Sequence, residues 1–407
     1  MTSKTLSNQR TKSWEQRIAD DLRVLEDRHL LRCLRVVEDG DGVRIRLDGR
    51  EVVNCSSNDY LGLSHHPVVA GAVRQVVDRL GWGAGASRLI SGSTSLHHEL
   101  EEAIARFKGT EAAIIYGSGY LANLGVVTAL VGHGDVVYSD RLNHASLVDA
   151  AVLSRARHRR YRHGDIAHVR ELVASETVSG KRLLVTETVF SMDGDVAPLR
   201  ELVTACQSRD VMVMVDEAHG TGVCGERGAG VVEQLGLGAD DVDVQMGTLS
   251  KALGGIGAYV AGSRALIDYL VNASRSFIYT TALPAAAAAA SLAALKLVQQ
   301  EPERRQRLWA NAQFLHGALH REGFDIGRTE TPIIPILIGD PERTMQLSQL
   351  LLEAGFYLQG IRPPTVPRGQ SRLRLTVTSE HSRSDLERLM ETLVRLRKQF
   401  GVEVREA

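Results

Sequence analysis

From residue 112 onward, short apolar runs alternate with stretches of helical spacing, and this alternation constrains the fold more than any other feature of the chain. Apolar runs lie at 112–116, 136–139, 183–186, 211–215 and 242–246, with helix-like segments such as 121–130 and 145–153 between them. Each helical crossover must bury its apolar stripe against the strands it joins, so the pattern predicts an α/β fold with a large, mostly parallel sheet covered on both faces. Ligands of such sheets bind outside the carboxyl ends of the strands. Small and polar residues collect at those ends: 117–120, 140–144, 190–194, 216–219 and 248–251.

Beyond residue 300 the spacing changes. Glu301-Pro302-Glu303 marks a boundary, and strands near 333–338 and 373–377 among amphipathic helices predict a smaller α+β domain. Ahead of the sheet, 13–35 has helical spacing, 43–55 reads as a hairpin about Asp48-Gly49-Arg50, and 67–80 reads as a helix. The expected division is an arm and hairpin at 1–57, a large domain at 58–300 and a C-terminal domain at 301–407. A chain of 407 residues has ample length for two cores.

Charge excludes some functions. Lys and Arg total 48 against 49 for Asp and Glu, so no whole-chain field favours nucleic acid or an anionic membrane. Cys33, Cys55, Cys206 and Cys224 are scattered, as expected of reduced thiols and not of a disulfide or zinc framework. No metal site is expected. The polar residues 1–17 lack the apolar core of a signal peptide, and the alanine-rich run 281–295 with Pro284 reads as a packed helix, too weakly apolar to span a bilayer. A cytoplasmic protein is expected.

Two strand ends carry the chemistry. Lys251 follows a strand and small hydroxylated residues, and precedes a flexible Gly254-Gly255. A lysine desolvated there loses its proton more readily and becomes a nucleophile towards carbonyls. Asp216 ends the run 211–215, and a buried carboxylate needs a cationic partner. A Schiff-base lysine and an acid for a protonated pyridine nitrogen are the two requirements of pyridoxal 5′-phosphate (PLP). A competing reading starts from Gly117-Ser118-Gly119-Tyr120-Leu121-Ala122, which fits the dinucleotide fingerprint, with Asp135 or Asp140 about 20 residues on. A nicotinamide-dependent dehydrogenase is the alternative it raises, although a single PLP phosphate would use the same helix N-terminus. Asp216-Glu217-Ala218-His219 imitates a helicase box, but the chain has no phosphate-binding G-x-x-x-x-G-K-[ST] loop. The basic run 155–163 reads as a solvated face, with attraction of coenzyme A phosphates as a second option.

Together, Asn58-Asp59-Tyr60-Leu61-Gly62, Asp140-Arg141-Leu142-Asn143-His144-Ala145-Ser146, Thr186-Glu187-Thr188-Val189-Phe190-Ser191-Met192-Asp193-Gly194, Asp216-Glu217-Ala218-His219-Gly220 and Thr248-Leu249-Ser250-Lys251-Ala252 resemble the α-oxoamine synthases. The resemblance runs from about Trp14 to the C-terminus. It implies the aspartate-aminotransferase fold (type I), PLP as cofactor, and decarboxylative condensation of an amino acid with an acyl thioester. By the same resemblance Lys251 would hold the cofactor and move the α-proton, Asp216 would keep the pyridine nitrogen protonated, and His144 would stack on the ring. Ser191 and His219 would lie near its phenolic oxygen. Gly119, Tyr120 and Thr248 would serve the phosphate, with Thr280 and Thr281 reaching it across a homodimer interface. Arg374 with Asn58 would hold the amino-acid carboxylate. Residues 361–367 with 372–376 are most similar to the branch that joins L-alanine to a pimeloyl thioester, on coenzyme A or a carrier protein. Arg32 and Thr365 would meet that acyl chain, with Arg35 hard to separate from Arg32. Branches using glycine or serine are the alternatives.

Overall fold

The computed structural model describes residues 13–177, 179–207 and 209–400; the polar segment ahead of Ser13 lies outside them. Its strands, in chain order, are β1 (Val37–Gly40), β2 (Arg44–Leu47), β3 (Arg50–Asn54), β4 (Ala112–Tyr116), β5 (Val136–Asp140), β6 (Arg157–Tyr161), β7 (Arg182–Glu187), β8 (Met212–Asp216), β9 (Val244–Thr248), β10 (Ala258–Gly262), β11 (Ile333–Gly339), β12 (Phe356–Tyr357), β13 (Gln359–Ile361) and β14 (Ser371–Thr376).

Seven of them form one sheet in the order β4-β10-β9-β8-β7-β5-β6. Strands β5 to β9 run parallel, and β10 lies antiparallel between β9 and β4. The predicted α/β class holds. Alternate residues of β4 face opposite layers: Ala113 and Ile115 pack into the core that includes the Ala285–Gln300 helix, Ile114 and Tyr116 into the core behind the Gly119–Leu130 helix. The alanine-rich run is thus a packed helix. Its small side chains let the Pro67–Leu80 and Ser95–Lys108 helices share the same core.

Three features differ from the sequence expectation. Strand β10 is short and built on small residues just beyond Gly254-Gly255, and its apolar signal is weak. Strand β6 is the basic run itself. It forms an edge of the sheet, where charged side chains are tolerated because one flank faces water. Arg157 and Arg159 of this strand both pair with Glu176, at 2.5 and 3.1 Å. The N-terminal helix covers only Trp14–Asp27. His29 adopts φ 56°, and the N–H of Leu30 bonds back to Leu25 O, which closes the helix and sends 30–36 off as extended chain.

The hairpin β2–β3 turns at Asp48 and Gly49, both left-handed, as a two-residue turn requires. Strand β3 then pairs in parallel with β12, and Val53 and Cys55 share a core with Leu373, Leu375 and Leu389. Strands β11, β14 and β13 form a separate antiparallel sheet. Arg374 of β14 and Asn58, just after the hairpin, therefore approach the ends of the large sheet from the same side. Among the described residues, no helix is long and apolar enough to cross a membrane.

Candidate active site

The carboxyl ends of β5, β7, β8 and β9 bring one cluster together. Asp216 closes β8 and is buried. Its Oδ1 accepts the Ala218 N–H at 2.9 Å and its Oδ2 accepts the Asn123 amide at 2.8 Å. The same Asn123 amide donates to Ser146 Oγ at 2.9 Å, which lies 2.8 Å from His144 Nδ1. A buried polar chain therefore links His144 to Asp216. Asn123 and Ser146 had no role in the sequence reading, because each lies in a helix whose pattern is core-like.

Lys251 sits in the turn after β9. Burial lowers its pKa to about 8, against the opposing pull of the Asp216 and Glu187 charges. Its Nζ lies 2.9 Å from His219 Nε2, and His219 Nδ1 lies 2.6 Å from the Tyr60 hydroxyl. Burial and the nearby Lys251 charge push His219 well below the ordinary histidine range, so it is a neutral ring at physiological pH. The turn holding Lys251 is not flexible. Gly254 takes φ 61°, and a Cβ there would run into the backbone of Leu63 and Ser64. Close backbone packing, not mobility, is what that glycine supplies.

Arg374 is buried and already engaged. Its Nε donates to Ser191 O at 2.7 Å, and one Nη donates to Asn58 Oδ1 at 3.0 Å and Thr376 Oγ1 at 2.9 Å. The Tyr60 hydroxyl also lies within hydrogen-bonding reach of the guanidinium. These bonds fix the guanidinium plane, in the fork geometry that suits a ligand's carboxylate. Thr248 Oγ1 bonds Gly257 O at 3.0 Å and Ser250 Oγ at 2.7 Å, beside Lys251. The Gly119–Leu130 helix starts here too. Ser118 caps Leu121 and Ala122, and the N–H groups of Gly119 and Tyr120 have no acceptor among the described residues. Tyr120 is half exposed, with its hydroxyl on Asp149 at 2.6 Å. Thr280 and Thr281 lie near the surface, and no hydrogen bond joins them to the cluster among the described residues.

A cleft of about 740 Å³ leads from the extended arm to β13. Arg32 reaches into it, donating to Pro363 O and Thr365 Oγ1 at 3.4 Å each. Arg35 is tied up instead, on Asp48 at 3.0 Å. Arg362 lies deeper, is buried, and pairs with no carboxylate among the described residues; its Nε has no partner. Nothing in the proline-rich stretch around it set Arg362 apart from its neighbours.

The dinucleotide reading fails on topology. The Gly117–Ala122 turn leaves β4, whose sheet partner is the antiparallel β10, so no parallel βαβ pair flanks it. Asp135 and Asp140 are both occupied: Asp135 accepts the N–H groups of Gly132 and Lys181, and Asp140 binds His163 and the Leu142 and Gly164 N–H groups.

Residues 50–393 match the family model of class I and II aminotransferases. The 8-amino-7-oxononanoate synthase of Geobacter sulfurreducens is 51% identical over 95% of this chain and 99% of its own. That of Methylococcus capsulatus is 48% identical over 92% and 97%. Among solved structures, serine palmitoyltransferase of Sphingomonas wittichii superposes with a TM-score of 0.90 at 31% identity, over 98% of this chain and 100% of that one. The 8-amino-7-oxononanoate synthase of Francisella tularensis superposes with 0.75 at 28% identity, over 86% and 98%. The chain belongs to the α-oxoamine synthase family of PLP-dependent enzymes.

The site fits the cofactor of that family on its own chemistry. A carboxylate as buried as Asp216, with no ion pair among the described residues, suits a protonated ring nitrogen. The open N–H groups at Gly119 and Tyr120 suit a phosphate. The desolvated amine of Lys251 suits the cofactor's aldehyde.

Proposed function

We propose that this α-oxoamine synthase is an 8-amino-7-oxononanoate synthase of biotin synthesis, joining L-alanine to a pimeloyl thioester with loss of carbon dioxide. The observation that carries the reading is the joint placement of Lys251, Asp216 and Arg374 around one buried centre, beside an arginine-lined cleft. Near 50% identity along almost the whole chain to synthases of that name selects this member over those using glycine or serine.

Bound PLP supplies an electron sink for the negative charge that develops at the amino-acid Cα. The chain's own groups do the rest. Asp216 holds the proton on the ring nitrogen, and Asn123 fixes the carboxylate that does so. His144 would cover the cofactor ring, and Ser191 and His219 would serve its phenolic oxygen. Gly119, Tyr120 and Thr248 would hold the phosphate, with Thr280 and Thr281 contributed by the other subunit of a homodimer. The alanine carboxylate takes the fork of Arg374, with Asn58 alongside, and this orients the Cα bonds. Lys251 would hold the cofactor's aldehyde, and as a neutral amine it would take the α-proton. Arg32, Arg362 and Thr365 hold the distal carboxylate of the acyl chain, a recognition an uncharged acyl group lacks.

The direct test is thiol release from pimeloyl-CoA by the PLP-loaded protein with L-alanine, glycine or L-serine. Preference for alanine, with one carbon dioxide per thiol, supports the reading. Preference for glycine or serine overturns the named reaction within the family, and no release with any of the three overturns the activity.

A further inference from the structure

The site contains a second buried acid that the chemistry above leaves unused. Glu187 is the last residue of β7 and pairs in register with Asp216, the last residue of β8. Register partners on neighbouring parallel strands point to the same face, with strands about 4.8 Å apart. Two carboxylates therefore stand side by side at the centre of the site. Glu187 is 3% exposed, and no cation lies within ion-pair distance among the described residues. Burial and the Asp216 charge push its pKa up to about 8. An acid in that position is costly to keep.

Its hydrogen bonds show what it does. Oε1 accepts the backbone N–H of His144 at 2.6 Å, and Oε2 accepts the backbone N–H of Ser191 at 3.2 Å. His144 belongs to the loop after β5 and Ser191 to the loop after β7, so one carboxylate spans two separate loops. The brace is closed from the other side, where Asn143 Oδ1 accepts the Glu187 N–H at 3.1 Å and Asn143 Nδ2 donates to Val185 O at 2.9 Å. Arg374 meets the same loop through Ser191 O. A shift of the loop would therefore move His144, Ser191 and the substrate-binding arginine together.

We propose that Glu187 is a positioning residue, whose two carboxylate oxygens brace the His144 loop against the Ser191 loop. The proposal rests on the PLP site described above. A carboxyl group keeps an oxygen able to accept at each end, and the length of a glutamate carries the two to both N–H groups. In E187Q the amide NH₂ faces one of the two N–H donors, and that bond is lost. In E187D the side chain is one methylene too short to reach both loops.

Hydrogen exchange of the apoprotein reads the brace directly, without cofactor or turnover. E187Q and E187D are each expected to speed exchange of the His144 or Ser191 amide by about tenfold, the equivalent of one lost hydrogen bond. Amides of the distant β11–β14 pair should be unchanged. In the loaded enzyme, kcat should fall by about tenfold to a hundredfold in both variants, as small misplacements do, with the alanine KM changed far less. Wild-type exchange and kcat in E187D would overturn the brace, since a carboxyl group of any reach would then suffice. E187Q indistinguishable from wild type would overturn it as well. If E187Q does not fold, E187D decides by the same two readouts. Failure of the underlying PLP reading is distinguishable, because the wild type itself would then show no visible absorption with PLP.

Discussion

Lys251 Nζ lies 2.9 Å from His219 Nε2, and His219 is held from behind by the Tyr60 hydroxyl at 2.6 Å. The contact places an unprotonated ring against the amine, because burial keeps His219 neutral. Burial also lowers Lys251 to about 8. A buried base with a lowered pKa is already deprotonated where a solvated lysine is still charged. In the apoprotein, labelling of Lys251 by an amine reagent should rise with a midpoint near pH 8. A midpoint near 10.5, the value of a solvated lysine, would show that the site does not desolvate the amine.

Arg374 is fixed by three acceptors, on Ser191, Asn58 and Thr376. A lysine at this position keeps the charge and loses the fork. R374K should raise the alanine KM by about tenfold to a hundredfold, the range of one lost charge-assisted bond. An unchanged KM would remove Arg374 from the alanine site.

Arg32 is free of carboxylates among the described residues and lies on Thr365, whereas Arg35 is held by Asp48. R32A should therefore raise the KM for pimeloyl-CoA by about tenfold and leave that for an uncharged acyl-CoA of equal length unchanged. R35A should leave both unchanged. Equal effects of R32A on the two thioesters would show that Arg32 does not read the distal carboxylate.

His163 bridges Asp140 at 3.0 Å and Asp195 at 2.8 Å, and stands edge-on to Phe190. Burial alone would lower its pKa, but the two carboxylates outweigh burial and raise it to about 10. A folded-state pKa above the unfolded one stabilises fully below about 6.5 and is lost as pH rises through about 10. The Tm gap between wild type and H163Q should thus be widest at or below neutral pH and close between pH 7 and 10.5. A gap independent of pH would mean that His163 is not charged in the fold.

The parallel core of the sheet was legible because its strands are buried on both faces and read as largely apolar runs. Lys251 and Asp216 stood out for the same reason, as single charges set against such runs. Glu187 did not. The apolar run before it ends at Val185-Thr186, and an acid one residue beyond a strand looks like the start of a solvated loop; only the register with Asp216 makes it part of the site. His163 was hidden in a basic run whose neighbours are solvated, although its own partners are the aspartates of two loops distant in sequence. Strand β6 escaped notice because edge position, not composition, lets it be a strand. Pairings between remote segments are set by topology, and local periodicity carries no record of them.

The central claim is that Lys251 carries the cofactor, and covalent trapping tests it most directly. Borohydride reduction of the PLP-loaded protein, followed by peptide mass analysis, should find one pyridoxyl group per chain, on the peptide containing Lys251. K251A treated in the same way should carry none. A label on another lysine, or none on the wild type, would contradict the account.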